Sequence, residues 1–299
     1  MAPHLGAIAL VWVLAAGFIG ATPVSAAKPE TGPALWKLAD EDTTIYLFGT
    51  VHILQKSVDW RTDAFDTAWD ASPTVYLEAD AKAAEGPQTQ ALVRELGLNP
   101  PGTSLSSFLD PEERTLFAGT AVSIGLPTSV LEPYRPWLAG VVFGVQWLVG
   151  QGGDPEAGVD TILAAEARAK GKTLRFFETP QEQLRILAGI PDPVSADSFV
   201  SGLQAVKDNP NLFQDIVDRW LAGDLEGQTA LLDMAENEPE EVFEAVFARR
   251  NEAWVKELIR VLAEDQGTVF VAVGMGHLIG ERSVNDLLTG QGVALERVQ

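Results

Sequence analysis

Two histidines stand in matching contexts. Gly49-Thr50-Val51-His52 follows the apolar run Thr44–Phe48 (TIYLF), and Gly274-Met275-Gly276-His277 follows Thr268–Val273 (TVFVAV). A neutral imidazole offers a lone pair, so two rings brought together suit a transition-metal ion, and a single ring suits general-base work. Of the 3 histidines, the remaining one, His4, lies in an N-terminal segment expected to be removed. Glutamates close two similar runs, Glu78 after Thr74–Leu77 (TVYL) and Glu178 after Thr173–Phe177 (TLRFF). A carboxylate in that position can complete a two-His metal site or act as base toward a metal-bound water. Asp80, one pleat beyond Glu78, reads as solvated surface. Arg250 is a candidate to orient Glu78, or to bind a substrate carboxylate or an oxyanion by bidentate donation. Its neighbour Arg249 reads as surface charge at a helix start, and Arg135-Pro136-Trp137 as structural.

These groups need elements that bring them to one edge. Thr44–Phe48 and Thr74–Leu77 read as strands around a helix over Asp59–Ala71, a βαβ unit with a parallel pair. The C-terminal end follows a similar plan, with a helix over Glu252–Ala263, the strand Thr268–Val273, a helix over Ser283–Leu288 and a last strand Val293–Leu295. The expected class is α/β, with a mainly parallel central sheet, helices on both faces, a helical insertion, and βαβ-like units at both ends of the mature chain. In such sheets ligands bind beyond the carboxyl ends of the strands, where both histidines fall. Between the ends, Asp110 reads as a helix cap with Pro111 at the first helical position, and Pro136–Val149 as a core helix. Asp160 reads as the cap of a helix running to Lys170 and closed by Gly171. Residues 190–241 read as a helical cap or wall, with Trp220, Leu221 and Leu225 as packing residues.

Composition bounds the function. With 299 residues, 46% hydrophobic, the chain can bury a large core. A formal charge of −21 excludes nucleic acid as a natural partner, because phosphates require a basic surface. The absence of cysteine excludes thiolate catalysis, disulfides and Cys-based zinc sites. Leu5–Ala21 is apolar and uncharged, and Pro23-Val24-Ser25-Ala26 follows with small residues, so residues 1–26 are expected to be a signal peptide and residues 27–299 the mature domain. The expected location is therefore the periplasm or outside the cell. An uncleaved N-terminal segment would be its contact with a membrane, if it has one. Gly274-x-Gly276 with Gly280 has the wrong spacing for a dinucleotide loop, Gly150–Gly153 lacks the Lys-Ser/Thr of a phosphate loop, and no Gly-x-Ser-x-Gly elbow is present.

Gly49-Thr50-Val51-His52, Leu77-Glu78-Ala79-Asp80, Gly158-Val159-Asp160, Glu178-Thr179-Pro180-Gln181-Glu182-Gln183, Arg250-Asn251 and Gly274-Met275-Gly276-His277-Leu278 resemble, in order, the motifs of the TraB/GumN family, over about Ala34 to Val298. The family includes the Tiki proteins. The resemblance implies metalloprotease-like activity on a peptide or protein, a preference for Mn²⁺ or Co²⁺, and a site at His52, His277 and Glu78. More distantly the pattern is similar to erythromycin-esterase and haem-binding ChaN-type proteins. Three readings therefore stand open: a metal-dependent hydrolase with Glu178 and Arg250 in support, a metal-independent esterase-like hydrolase with His52 as base, and a non-catalytic peptide- or haem-binding protein.

Overall fold

The apolar β-branched and aromatic runs become strands, and a computed structural model describes their arrangement over residues 31–233 and 239–299. The proposed signal peptide, residues 1–26, lies outside the described residues. Along the chain run β1 (Leu35–Ala39), β2 (Thr43–Thr50), α1 (Asp63–Ala71), β3 (Thr74–Leu77), α2 (Ala81–Ala84), α3 (Pro87–Gly97), α4 (Pro111–Ser123), α5 (Thr128–Leu131) and α6 (Pro136–Gly150). Next come α7 (Val159–Ala169), β4 (Thr173–Phe176), α8 (Pro180–Gly189), α9 (Asp192–Asp208), α10 (Leu212–Leu221), α11 (Leu225–Asp233) and α12 (Glu240–Phe243). A π-helical turn, Glu244–Ala248, then leads into α13 (Arg249–Glu264), β5 (Gly267–Gly274), α14 (Val284–Gly290) and β6 (Glu296–Arg297).

The fold is α/β on a mixed six-stranded sheet, ordered β4-β3-β5-β2-β1-β6. β2, β3, β4 and β5 pair in parallel, whereas β1 joins β2 and β6 antiparallel, so the expectation of a mainly parallel sheet holds for the four strands β4-β3-β5-β2 and fails at the β1-β6 edge. β2 and β3 are parallel but not neighbours, because β5 lies between them. The physical reason is burial: Val269–Val273 are each at most 3% exposed, and such a strand belongs where both faces and both edges are covered. The last strand falls at Glu296–Arg297 rather than Val293–Leu295. Val293 and Leu295 pack their side chains on the core instead, and the polar pair takes the exposed edge, with the Arg297 guanidinium over the Trp36 ring.

Helices cover both sheet faces. On one, Phe65 and Trp69 of α1 meet Phe270 edge-on, with centroids 5.3 and 5.2 Å away, and Phe48 joins them. On the other, the Tyr76 hydroxyl donates to Glu257 of α13 at 2.9 Å. Each buried aromatic ring of this kind contributes about 1.5–3 kcal/mol by leaving water. Local signals set the helix starts: Asp110 and Thr179 form capping boxes with Glu113 and Glu182, and Pro111 and Pro180 occupy the first turn. Trp220 of α10 is fully buried, and its indole N–H donates to the Gly49 carbonyl at 2.9 Å, tying the helical region to the first histidine turn. Among the described residues no helix is long and apolar enough to cross a membrane.

Away from the histidines, Glu166 of α7 accepts from Arg61 (2.6 Å), the Trp69 indole (2.9 Å) and Lys170 (2.9 Å). Burial alone would raise its pKa, but these donors outweigh it and lower the value from 4.5 to about 2. The charged form is thus favoured by folding, so this contribution is present above about pH 4.5 and is lost as pH falls toward 2. Urea unfolding of the parent chain and of Glu166→Gln should therefore differ most above pH 4.5 and converge toward pH 2. A constant difference across that range would show that the carboxylate charge contributes nothing.

Candidate functional site

His52, Glu78, Glu178, Arg250 and His277, nominated separately along the chain, are brought together beyond the carboxyl ends of β2, β3, β4 and β5. The parallel register of β2 and β5, which sets Thr50 opposite Gly274, places the two histidine turns side by side. Glu78 leaves the end of β3, and Glu178 follows β4, its backbone N–H donating to the Glu78 carbonyl at 2.9 Å. Arg250 and Asn251 come from the first turn of α13, immediately after the π-helical turn. Such turns widen a helix and re-aim the residues that follow.

Arg250 is the hub. Its Nε donates to Glu178 at 2.9 and 3.1 Å, its Nη2 to Glu78 Oε2 at 2.7 Å and to Glu178 Oε2 at 2.9 Å, and its Nη1 to the Val246 carbonyl at 2.9 Å. Its side chain is 10% exposed, and the carboxylates it joins are 13% and 11% exposed. The guanidinium also lies over the Trp254 ring at 4.8 Å, and the Trp254 indole N–H donates to Glu178 at 3.2 Å. Glu78 Oε1 accepts from the Gly274 backbone N–H at 2.7 Å. Burial would push the Glu78 pKa up, but His277, Arg250, His52 and that N–H hold it well below the usual carboxylate range.

The two rings are oriented alike and charged differently. Arg250 Nη1 lies 3.0 Å from His277 Nε2 and can only donate, so Nε2 accepts and Nδ1 carries the proton, donating to Asn251 Oδ1 at 2.6 Å. Burial, assisted by Arg250 and His52 against the pull of Glu78, draws the His277 pKa down to about 3 and keeps the ring neutral. His52 donates from Nδ1 to Asp160 Oδ1 at 2.9 Å. Burial lowers its pKa, but the Asp160 carboxylate, with help from Glu78, raises it above the ordinary value. With 44% of the His52 side chain exposed, solvent screens this pull.

Asp160 is the functional residue that sequence reasoning placed in the wrong role. Gly158, not Asp160, caps α7, and Asp160 sits in the first helical turn with its side chain on His52. Its second oxygen, Oδ2, is buried without a partner. An acid in the first turn of a helix reads naturally as a cap or a dipole partner. The signal available was its place in the Gly158-Val159-Asp160 motif. Asp80 caps α2 and pairs with Arg168, outside the cluster. Arg135 holds Asp192 and the Leu96 carbonyl, a structural role.

His52 Nε2, Glu78 and His277 Nε2 are the groups that could hold a divalent ion. Among the described residues no group of three or more His, Asp or Glu side chains is closed up as a metal cluster. Even so, Glu78 Oε1 lies 3.9 Å from His52 Nε2 and 3.8 Å from His277 Nε2. Two donors on one ion can stand up to about 4.2 Å apart with bonds of about 2.1 Å, so both spacings are admissible. Each ring also has its Nδ1 fixed by an oxygen, as in ligating histidines. Gly274 floors the cluster: a Cβ there would stand 3.1 Å from Glu78 Oε1 and 3.2 Å from His52 Nε2, in the space the donors share. The donor set fits.

No curated protein and no solved structure matches this chain. A family model described as the TraB/PrgY/gumN family matches residues 34–297, and the chain belongs to that family.

Proposed function

We propose that this protein is an exported, metal-dependent hydrolase with peptidase-like activity, in which His52, Glu78 and His277 hold a divalent ion, Mn²⁺ or Co²⁺. The observation that carries the reading is the Gly274 floor, where a carboxylate and an imidazole border a space that a methyl group would fill. Charge supports it, since the three carboxylates Glu78, Glu178 and Asp160 outnumber the one guanidinium among them by two negative charges, an excess that a divalent ion would balance and a proton on His52 would only halve. When bound, such an ion polarises the scissile carbonyl and acidifies a water toward neutrality. The chain's own residues do the rest. Asp160 and Asn251 fix the ring tautomers so that both Nε2 atoms face the cluster. Glu178 has both oxygens taken by Arg250 and Trp254, so it acts by holding Arg250, whose positive charge beside the cluster, rather than an unengaged N–H, would stabilise negative charge developing on the substrate. Export rests on the apolar segment Leu5–Ala21 and the small residues after it.

Elemental analysis tests the reading. The purified protein should retain about one equivalent of Mn²⁺ or Co²⁺ when supplied with it, and His52→Ala and His277→Ala should each lose that ion while remaining folded. Chelation should abolish peptide hydrolysis and the added ion should restore it. One further reading has its own observation, the Asp160–His52 hydrogen bond at 2.9 Å, which would equip His52 as a metal-free base for ester hydrolysis. Activity that resists chelation, disappears in His52→Ala and is only weakened in Glu78→Gln would favour it over the metal.

A further inference from the structure

Beside the polar cluster the structure holds a cavity of about 230 Å³ that reaches between α2, α7 and α8. Its charged and titratable groups, His52, Glu78, Asp160 and Arg250, are those of the cluster. The remaining wall is dominated by Ala81, Ala84, Ala164, Leu184, Leu187 and Val246. Two other polar side chains on that wall are engaged within the protein. The Thr89 hydroxyl donates to the Ala83 carbonyl and accepts from Gln181, and the Gln183 amide lies 3.4 Å from Glu78 Oε2. A guest here therefore meets hydrocarbon on its sides and the reactive groups at its base. The volume falls below the roughly 300–1,000 Å³ of pockets that bury whole small molecules, and suits one side chain attached to a chain that continues outside.

We propose that this cavity is a specificity pocket for one unbranched or branched aliphatic side chain (leucine, isoleucine or methionine) next to the bond that is cleaved, which restricts the substrates to peptides carrying such a residue. Cleavage beside the pocket rests on the proposed hydrolase function, whereas binding rests on the cavity alone. Charged side chains are rejected because burying a charge along the alanine and leucine walls is costly, and the carboxylates at the base, Glu78 and Asp160, are held by Arg250 and His52. Alanine leaves the cavity part-filled, and each missing methylene in such a pocket costs roughly 10–200-fold in discrimination.

The test has two arms. In the first, kcat/KM is measured for blocked peptides that differ at one position, as Leu, Met, Ala or Lys. Leu and Met are expected to exceed Ala by about 1,000-fold or more, three side-chain heavy atoms at roughly 10-fold or more each, and Lys by at least as much. Ala84→Leu, which fills the wall of the cavity, should bring Leu down to the level of Ala. Should Ala84→Leu fail to fold by circular dichroism, Ala81→Leu at the half-buried rim makes the same prediction. In the second arm, binding of N-acetyl-leucinamide and N-acetyl-lysinamide is followed by ligand-observed NMR, with no turnover required. Saturable leucinamide binding that Ala84→Leu removes supports the pocket even where no peptide is hydrolysed, and in that case it is the hydrolase reading that fails. Hydrolysis with no preference among the side chains, or equal binding of the two amides, overturns the pocket and leaves the hydrolase reading intact.

Discussion

Arg250→Ala should destabilise the protein by about 3–5 kcal/mol, the usual penalty for removing one partner of a buried ion pair and leaving its counter-charges stranded. The substitution strips Glu78 Oε2 of its 2.7 Å donor and takes away the guanidinium that grips both oxygens of Glu178. Those carboxylates, 13% and 11% exposed, have little water to turn to. Arg250→Lys should lie in between, because an ammonium restores the charge but cannot span two carboxylates and a helix carbonyl at once. Urea unfolding checks this, and the double variant Arg250→Ala/Glu178→Gln should recover part of the loss. A cost below about 1 kcal/mol for Arg250→Ala would mean that the cluster is hydrated or protonated and that Arg250 is not its hub.

Gly274→Ala is the second substitution with a large expected effect, and it should separate activity from stability. The backbone at Gly274, with φ −50° and ψ 134°, is one that alanine adopts freely, so no conformational strain is introduced. The new methyl would instead stand 3.1 Å from Glu78 Oε1 and 3.2 Å from His52 Nε2, inside the shared space. Displacing reacting groups by a fraction of an ångström to one ångström costs on the order of 100-fold in rate. Hydrolysis should fall by about that factor, and the affinity for Mn²⁺ should fall with it, while the thermal midpoint changes by only a few degrees. Unchanged activity would show that the chemistry lies away from the Gly274 floor.

The sequence makes some of this arrangement readable and hides the rest for physical reasons. The strands at Thr74–Leu77 and around Thr44–Phe48 and Thr268–Val273 are legible because β-branched and aromatic runs ending in glycine or glutamate have few other uses. Their neighbours in the sheet are not legible, since pairing depends on which strand can tolerate burial on every side. β1, Leu35–Ala39, joins the sheet as an antiparallel strand that the local pattern LWKLA does not announce. His52, Glu78 and His277 are legible because few chemically capable residues follow buried strands. Asp160 is harder, because its hydrogen bond to His52 spans two distant segments and its sequence context serves a helix start equally well. The reversal in charge preference between the two rings is likewise a tertiary effect. Both follow a Gly-x-x motif, but His277 is wrapped by Trp254 and Phe247, at 4.4 and 5.0 Å, while His52 opens onto the cavity.

The contact between the two histidine turns has an evolutionary corollary. A Cβ at Gly49 would collide with the thioether end of Met275, so the bulk allowed at one position is set by what stands at the other. Positions 49 and 275 should vary as a pair among relatives, an added methyl at the first being matched by a smaller or differently placed side chain at the second. A lineage that enlarged only one of them would have to move the Met275 side chain out of its present place against β2.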